Sequence, residues 1–140
     1  MIIVGFKKLS DTAIPFEYSR DGDACMDMYA DKDVFIPVGC AAIIPTNIAV
    51  EIPSGYEGIV RGRSGLAAQG IMVHIGTIDE TYRGSVGVIV SNHSSDAFKI
   101  SKGNRIAQFT VKPVLKVVLK EVEELSSTKR GIRGYGSSGI

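Results

Sequence analysis

The segment Asn47-Ile48-Ala49-Val50-Glu51-Ile52 runs into Pro53-Ser54-Gly55 and gives the clearest indication of the fold class. Ile48, Val50 and Ile52 alternate with the residues between them, and this period of two is typical of a strand with one buried face. Proline, serine and glycine together mark a turn. The stretch therefore predicts a half-buried β-strand that ends in a turn.

Short segments of the same kind recur along the chain. Val86, Val88 and Val90 repeat the alternation around Gly87 and Ile89. The predicted strands are 2–6, 24–30, 33–37, 40–44, 47–52, 56–62, 71–75, 86–91, 97–101, 105–112 and 114–123. Many short strands at regular spacing favour an all-β sandwich or barrel.

The composition agrees with one all-β domain. The 140 residues include 31 Ile and Val against 5 Leu, and β-branched residues favour strands. The content of hydrophobic residues, 44%, argues against a disordered chain. Only residues 64–69 are predicted to be helical, as a very short helix with Ser64 as its N-cap and Gly70 as its terminator.

Charge and cysteine content restrict the partners and the compartment. The formal net charge is +1, which gives no overall attraction to nucleic acid or to an anionic membrane. No apolar run approaches the ~18 residues of a membrane span, and the first residues lack the pattern of a signal peptide. Cys25 and Cys40 form no CxxC pair and favour a reduced, cytoplasmic protein (in the host cell if the source is a virus or phage), with a single disulfide as the open alternative.

The C-terminal segment differs in character from the rest. Residues 126–139 are polar and rich in glycine, so we divide the chain into a β core over 1–125 and an arm over 126–140. Arg130, Tyr135 and Ser137-Ser138 combine a cation, an aromatic face and two hydroxyls, which suits them to wrap an anionic ligand. The spacing of a P-loop is absent.

Two segments place charged side chains beside glycine or apolar residues. In 61–65, cations, a hydroxyl and glycine lead into a helix start, which favours a phosphate seat; an ordinary capped strand end is the alternative. Asp79 follows the apolar run 71–78, where a partly desolvated carboxylate suits a general base; a turn-forming aspartate is the alternative.

Two more segments carry polar groups of open purpose. The acidic cluster 21–31 includes Asp27 within a predicted strand, and carboxylates of this kind suit Mg²⁺; a polar loop is the alternative. The turn at 102–104 leads into a strand in which Arg105 and Gln108 are expected on opposite faces.

Taken in order, these segments resemble the five motifs of the homotrimeric deoxyuridine triphosphatases (dUTPases). The matching segments are 24–30, which is similar to A-x-x-D-L-x-A, then 63–67, 76–84, 103–108 and 130–139. The resemblance implies a jelly-roll-like β sandwich assembled as a homotrimer, with active sites between subunits and the arm closing over the nucleotide. It also implies hydrolysis of dUTP to dUMP and pyrophosphate, which supplies dUMP for thymidylate synthesis.

The resemblance assigns roles to individual residues. Asp79 would activate the water that attacks the α-phosphorus, and Mg²⁺ would sit on the triphosphate with Asp27 contacting it through water. Tyr82 would pack under the deoxyribose. The remaining substrate-binding residues would be Arg63, Ser64, Gly65 and Gln108 at the phosphates, Gly76, Thr77, Ile78 and Gly87 at uracil, and Arg130, Tyr135, Gly136, Ser137 and Ser138 in the arm.

Four positions depart from the pattern of the family. Gly62 replaces a usual Pro, Val73 a frequent Asn, Asn104 a usual Asp, and Tyr135 a usual Phe. These departures leave the order of the five motifs unchanged.

Two other functions are alternatives to the dUTPase hypothesis. A dCTP deaminase on the same fold typically has a Glu just after the second motif, where residues 66–69 carry no carboxylate. A trimeric regulatory protein with dUTP-gated partner binding is the third hypothesis.

Overall fold

Ten strands and one short helix form the regular structure of residues 1–135, the part of the chain that this computed structural model describes. The elements are β1 (Gly5–Lys8), β2 (Met26–Tyr29), β3 (Val34–Ile36), β4 (Ala41–Glu51), β5 (Tyr56–Arg61), α1 (Ser64–Ala67), β6 (Ile71–Val73), β7 (Gly76–Ile78), β8 (Ser85–Asn92), β9 (Phe98–Ile100) and β10 (Arg105–Pro113). The prediction of an all-β fold with one very short helix is confirmed.

The strands form two four-stranded antiparallel sheets and a small third one. Their orders are β1-β4-β8-β6, β2-β10-β5-β7 and β3-β9. The predicted alternation sets the buried faces, because Ile48, Val86 and Val88 are fully buried. They join Met28 and Phe109 of the second sheet in one apolar cluster, so the core lies between the two larger sheets.

One strand, β4, replaces the two separate strands predicted over 40–44 and 47–52. Its register against β8 shifts between Pro45 and Ala49, and Asn47 has a φ of 51°. This left-handed conformation is tolerated by asparagine, and the Asn47 side chain is held by a 2.6 Å hydrogen bond from Nδ2 to Asp31. The strand therefore continues through a local irregularity instead of stopping there.

Three further strand predictions need correction. The first strand begins at Gly5 and not at Ile2, and β7 was not predicted as a strand of its own. No strand forms over the described residues after Pro113, although one was predicted at 114–123. The apolar pattern of that segment has no neighbouring strand of the same chain to pair with.

Cys25 and Cys40 are both free thiols, so the disulfide alternative is wrong for this structure.

Within residues 1–135, no helix has the length and apolar character needed to cross a membrane.

Candidate active site

A polar cleft of about 330 Å³ opens beside β2 and β10. Its lining consists of Ser19, Arg20, Asp23, Ala24, Cys25, Asp27, Arg63, Arg105 and Gln108. Three of these residues are arginines and two are aspartates, so the cleft carries a small excess of positive charge. It joins the predicted residues Asp27, Arg63 and Gln108 in one place.

Asp27 is the most strongly bound acidic group of the cleft. It lies on β2, is 8% exposed, and accepts hydrogen bonds from Ser19 Oγ at 2.6 Å and from Arg105 Nη1 at 3.1 Å. Arg63 Nε lies 3.5 Å from its other oxygen. Burial raises the pKa of Asp27, but the hydrogen bonds and the two guanidinium charges outweigh burial and hold that pKa below its usual value.

The segment of Arg63 shows where the cap prediction was wrong. Arg63, with an extended backbone, is the N-cap of α1, and Ser64 is its first helical residue. The Arg63 carbonyl accepts the N–H of Leu66 at 3.1 Å, and its guanidinium donates to the Arg105 carbonyl at 2.9 Å. The helix ends at Ala67 with Ala68 as its C-cap, earlier than the predicted 64–69, and Gly70, with a φ of 79°, lies in the turn that follows. Ser64 and Gly65 are exposed beside Arg63.

A β-bulge brings Arg105 and Gln108 to the same cleft, which corrects the prediction of opposite faces. Arg105 pairs with Tyr29, but Ala107 pairs with Met28, so the register shifts by one residue. A bulge of this kind re-aims one side chain relative to the regular alternation. Arg105 is the functional candidate that sequence reasoning missed, since no local sequence signal marks the bulge.

The loop that carries Asp79 follows β7, the edge strand of the second sheet. Gly76 and Thr77 pair with Val60 and Ile59 on β5, and Ile78 is buried at 9% exposure. Asp79 itself is exposed in the single chain, so the expectation of a partly desolvated carboxylate is not met within one subunit.

Two glycines near this loop pack closely against neighbouring side chains. A Cβ at Gly84 would overlap the ring and hydroxyl of Tyr82, whose Oη donates to the Ser85 carbonyl at 3.0 Å. A Cβ at Gly87 would lie 2.9 Å from a methyl of Ile43. Both glycines therefore have packing reasons inside the chain, independent of any ligand.

Within one chain, Asp79 and the cleft are far apart. Asp27, Gln108 and Arg61 lie in one row of the sheet, whereas Asp79 follows Ile78, which is paired with Gly58 three rows away. With strands ~4.8 Å apart and ~3.3 Å per residue, the two aspartates are roughly 19 Å apart at the backbone. One chain alone does not bring the predicted base to the predicted phosphate residues.

The described part of the arm, residues 126–135, does not line the cleft. Arg130 Nε donates to the Arg133 carbonyl at 2.9 Å, Tyr135 is fully exposed, and neither residue lines the cleft. Gly136, Ser137 and Ser138 lie outside the described residues, so their roles stay predictions.

The fold and the site together define a class of protein: an antiparallel β sandwich with a guanidinium-lined cleft suited to an anionic, phosphate-bearing ligand. The family model named dUTPase matches residues 11–139. The chain belongs to the dUTPase family.

Named relatives and solved structures agree with this membership. A deoxyuridine 5'-triphosphate nucleotidohydrolase of Alkaliphilus metalliredigens is 43% identical over 100% of this chain and 99% of its own length. The protein of that name from Clostridium acetobutylicum is 44% identical with the same coverage. The dUTPase of Staphylococcus bacteriophage 80alpha with dUPNHPP has a TM-score of 0.93 and 30% identity over the whole of both chains. The fold is thus the jelly-roll-like β fold of dUTPases.

Proposed function

We propose that this chain hydrolyses dUTP to dUMP and pyrophosphate. The observation that carries the proposal is the convergence of Asp27, Arg63, Arg105 and Gln108 on one cleft, in a chain of the dUTPase family. Relatives named deoxyuridine 5'-triphosphate nucleotidohydrolase are similar over their full length. Phosphoryl transfer needs positioning and charge stabilisation more than covalent chemistry, and a cleft lined by arginines suits that task.

The proposed chemistry uses Asp79 as the base. Its carboxylate takes a proton from a water molecule, which attacks the α-phosphorus of dUTP. The bond from that phosphorus to the bridging oxygen breaks, and pyrophosphate leaves. Arg63, Ser64, Gly65 and Gln108 hold the phosphates, and Arg105 joins them because it lines the same cleft.

The proposed uracil and sugar pocket uses the hairpin before and after Asp79. Backbone groups of Gly76, Thr77 and Ile78 pair with the uracil edge, and Gly87 lines the same pocket. Tyr82 packs under the deoxyribose, and its fixed hydroxyl supports a rigid wall against a 2′-hydroxyl.

Mg²⁺ fits the cleft as an ion carried by the substrate. Within residues 1–135, no group of three His, Cys, Asp or Glu side chains is arranged to hold a metal ion. Mg²⁺ keeps several waters and binds through one or two carboxylates plus substrate phosphates, and Asp27 offers a carboxylate of this kind through water. When bound, the ion would neutralise triphosphate charge. A phage phi11 dUTPase variant, 27% identical with a TM-score of 0.82, is described with a structural Mg(II) ion.

A homotrimer with its sites between subunits is part of the proposal. The separation of Asp79 from the cleft supports it, because a second copy is needed to supply the missing half. The described segment after Pro113 also supports it, since Val118 and Leu119 are 95% and 94% exposed. Contiguous exposed apolar residues mark interaction sites, and a neighbouring subunit would cover them.

The arm of residues 126–140 completes the proposed site. We assign Arg130 to the γ-phosphate, Tyr135 to stacking on uracil, and Gly136, Ser137 and Ser138 to closure over the phosphates. Closure of such a segment excludes water and completes a site. The free thiols of Cys25 and Cys40 suit the reducing cytoplasm as the place of action.

The deaminase alternative is not favoured. Residues 66–69 of α1 and the turn after it carry no carboxylate to handle a proton at a cytosine amine. The family model and the named relatives agree with hydrolysis instead.

The test is a panel of the four canonical deoxynucleoside triphosphates and dUTP, with pyrophosphate release measured with and without Mg²⁺. We expect release from dUTP only, and ¹⁸O from labelled water in dUMP rather than in pyrophosphate. An Asp79→Asn variant should bind dUTP and lose nearly all turnover. Ammonia release from dCTP, or full turnover by Asp79→Asn, would contradict the proposal.

A further inference from the structure

The loop after β7 holds Asp79 by its backbone rather than by its side chain. Between residues 1 and 135, no partner donates a hydrogen bond or forms an ion pair with the Asp79 carboxylate. The loop closes with the Tyr82 N–H donating to the Asp79 carbonyl at 3.0 Å. The direction of this carboxylate therefore depends on what anchors residues 79–84.

The strongest anchor of the loop is the next residue, Glu80. Its Oε2 accepts the Gly55 N–H at 2.6 Å, and its Oε1 lies 3.5 Å from the Ser54 hydroxyl. Gly55 has a φ of 83°, which glycine adopts without steric cost. The half-buried Glu80 thus makes a charge-assisted bond to the turn between β4 and β5.

Arg83 binds the other end of the loop to the same region. Its Nη1 donates to the carbonyls of Glu80 at 2.7 Å and Tyr82 at 2.9 Å, and its Nη2 lies 3.3 Å from Glu51. Glu51 is the last residue of β4, two residues before that turn begins. The loop is therefore tied at Glu80 to the turn between β4 and β5, and at Arg83 to the last residue of β4.

The same turn also holds the start of the C-terminal segment. Val114 donates its N–H to the Gly55 carbonyl at 2.8 Å, directly after the end of β10. Gly55 thus donates its N–H to Glu80 and accepts the N–H of Val114 at its carbonyl. The chain from Val114 leads to the arm that carries Arg130 and Tyr135.

We propose that Glu80 is a positioning residue for Asp79 and that Gly55 couples the Asp79 loop to the segment that begins at Val114. The inference rests on the proposed function, since it assigns Asp79 as the base. Both segments therefore share one anchor, since Glu80 binds the Gly55 N–H and Val114 binds the Gly55 carbonyl.

The first test compares Glu80→Ala with Glu80→Gln and with Glu57→Ala, a control that removes a carboxylate from the neighbouring β5. Misplacement of a catalytic group by ~1 Å costs about 100-fold, so we expect kcat of Glu80→Ala to fall by about that factor with KM for dUTP little changed. Glu80→Gln keeps an oxygen that accepts the Gly55 N–H and should recover most of kcat. Glu57→Ala should match wild type.

A second measurement does not depend on turnover. Exchange of the Gly55 amide hydrogen, followed by NMR in the folded protein, should accelerate in Glu80→Ala and not in Glu57→Ala. Unchanged exchange and unchanged kcat in Glu80→Ala would overturn the positioning role. If wild type fails to hydrolyse dUTP, the proposed function fails separately, whereas an active wild type with an equally active Glu80→Ala rejects this inference alone.

The coupling is tested with Val114→Pro, which removes the N–H that Gly55 receives. Residues that share a partner show non-additive effects, whereas independent sites add. We expect the double variant Glu80→Ala/Val114→Pro to lose clearly less kcat than the product of the two single losses. Strictly multiplicative losses would overturn the coupling.

Discussion

Arg105 donates from Nη1 to Asp27 at 3.1 Å across the pairing of β10 with β2. In a regular strand, Arg105 and Gln108 would point to opposite faces. The bulge between Arg105 and Ala107 turns the guanidinium into the cleft, next to Arg63. Asp27 thereby holds two cations where the proposed triphosphate would bind.

Replacement of Arg105 by Ala should weaken dUTP binding. The variant loses one cation of the cleft and one hydrogen bond of Asp27, and a charge-assisted bond of this kind contributes about 1.5–3 kcal/mol. We expect KM for dUTP to rise at least about tenfold, equivalent to about 1.4 kcal/mol, in steady-state kinetics. Lys99→Ala removes an exposed cation whose pair with Asp33 spans 3.9 Å, and serves as control. A KM equal to that of the control would show that Arg105 does not contribute to dUTP binding.

The buried carboxylate of Asp31 accepts three side-chain hydrogen bonds and forms one ion pair. Ser10 donates a short hydrogen bond, Asn47 donates at 2.6 Å, Thr12 at 2.7 Å, and Lys102 Nζ lies 3.3 Å away. The bonds from Ser10 and Asn47, followed by those from Thr12 and Lys102, outweigh burial and hold the pKa of Asp31 well below its usual range.

The lowered pKa predicts a pH-dependent loss of stability in Asp31→Asn. A carboxyl with a depressed folded-state pKa contributes stability above its unfolded pKa of about 3.9 and loses it as the pH falls toward the folded value. Urea unfolding should show Asp31→Asn about 2 kcal/mol less stable than wild type at pH 7, with a smaller difference at pH 3. The exposed control Asp11→Asn should stay within about 0.5 kcal/mol. An equal difference at both pH values would contradict the role of the charge.

The core beside β7 leaves no room for a side chain at Gly58. A Cβ there would lie 2.8 Å from two ring atoms of Phe109 and 3.1 Å from Cβ of Ile78. Gly58→Ala should therefore lower the free energy of unfolding by about 2 kcal/mol, as overpacking does. A Cβ at Gly134 would meet no atom within 4 Å, so Gly134→Ala should leave the melting temperature unchanged. Thermal unfolding of both variants measures the difference. Equal melting temperatures for Gly58→Ala and wild type would show that the ring moves freely.

The parts of the fold set by local alternation were predictable, and those set by pairing were not. Ile48, Val50 and Ile52 are all buried, as their period of two indicates. The bulge at 105–107 depends on how β10 meets β2, so the shared cleft of Arg105 and Gln108 could not be predicted.

Pairing between strands also explains why no described strand follows β10. Residues 114–123 have the apolar content of a strand, but a strand needs a partner edge. Within the single chain, β10 ends at Pro113. The motif order gives a prediction of which residues carry the chemistry, and the register shows that Asp79 and Arg63 lie beyond opposite ends of β5.

In the proposed trimer, one active site takes Asp79 from one copy of the chain and Arg63 from another. The most direct measurement is pyrophosphate release from dUTP by Asp79→Asn and Arg63→Ala proteins, each alone and then co-expressed at equal levels. Each variant alone should be nearly inactive. In randomly mixed trimers with sites shared between neighbours, about a quarter of the sites regain both residues, so the co-expressed protein should recover about that fraction of wild-type activity. Activity no higher than the mean of the two single variants would contradict the claim.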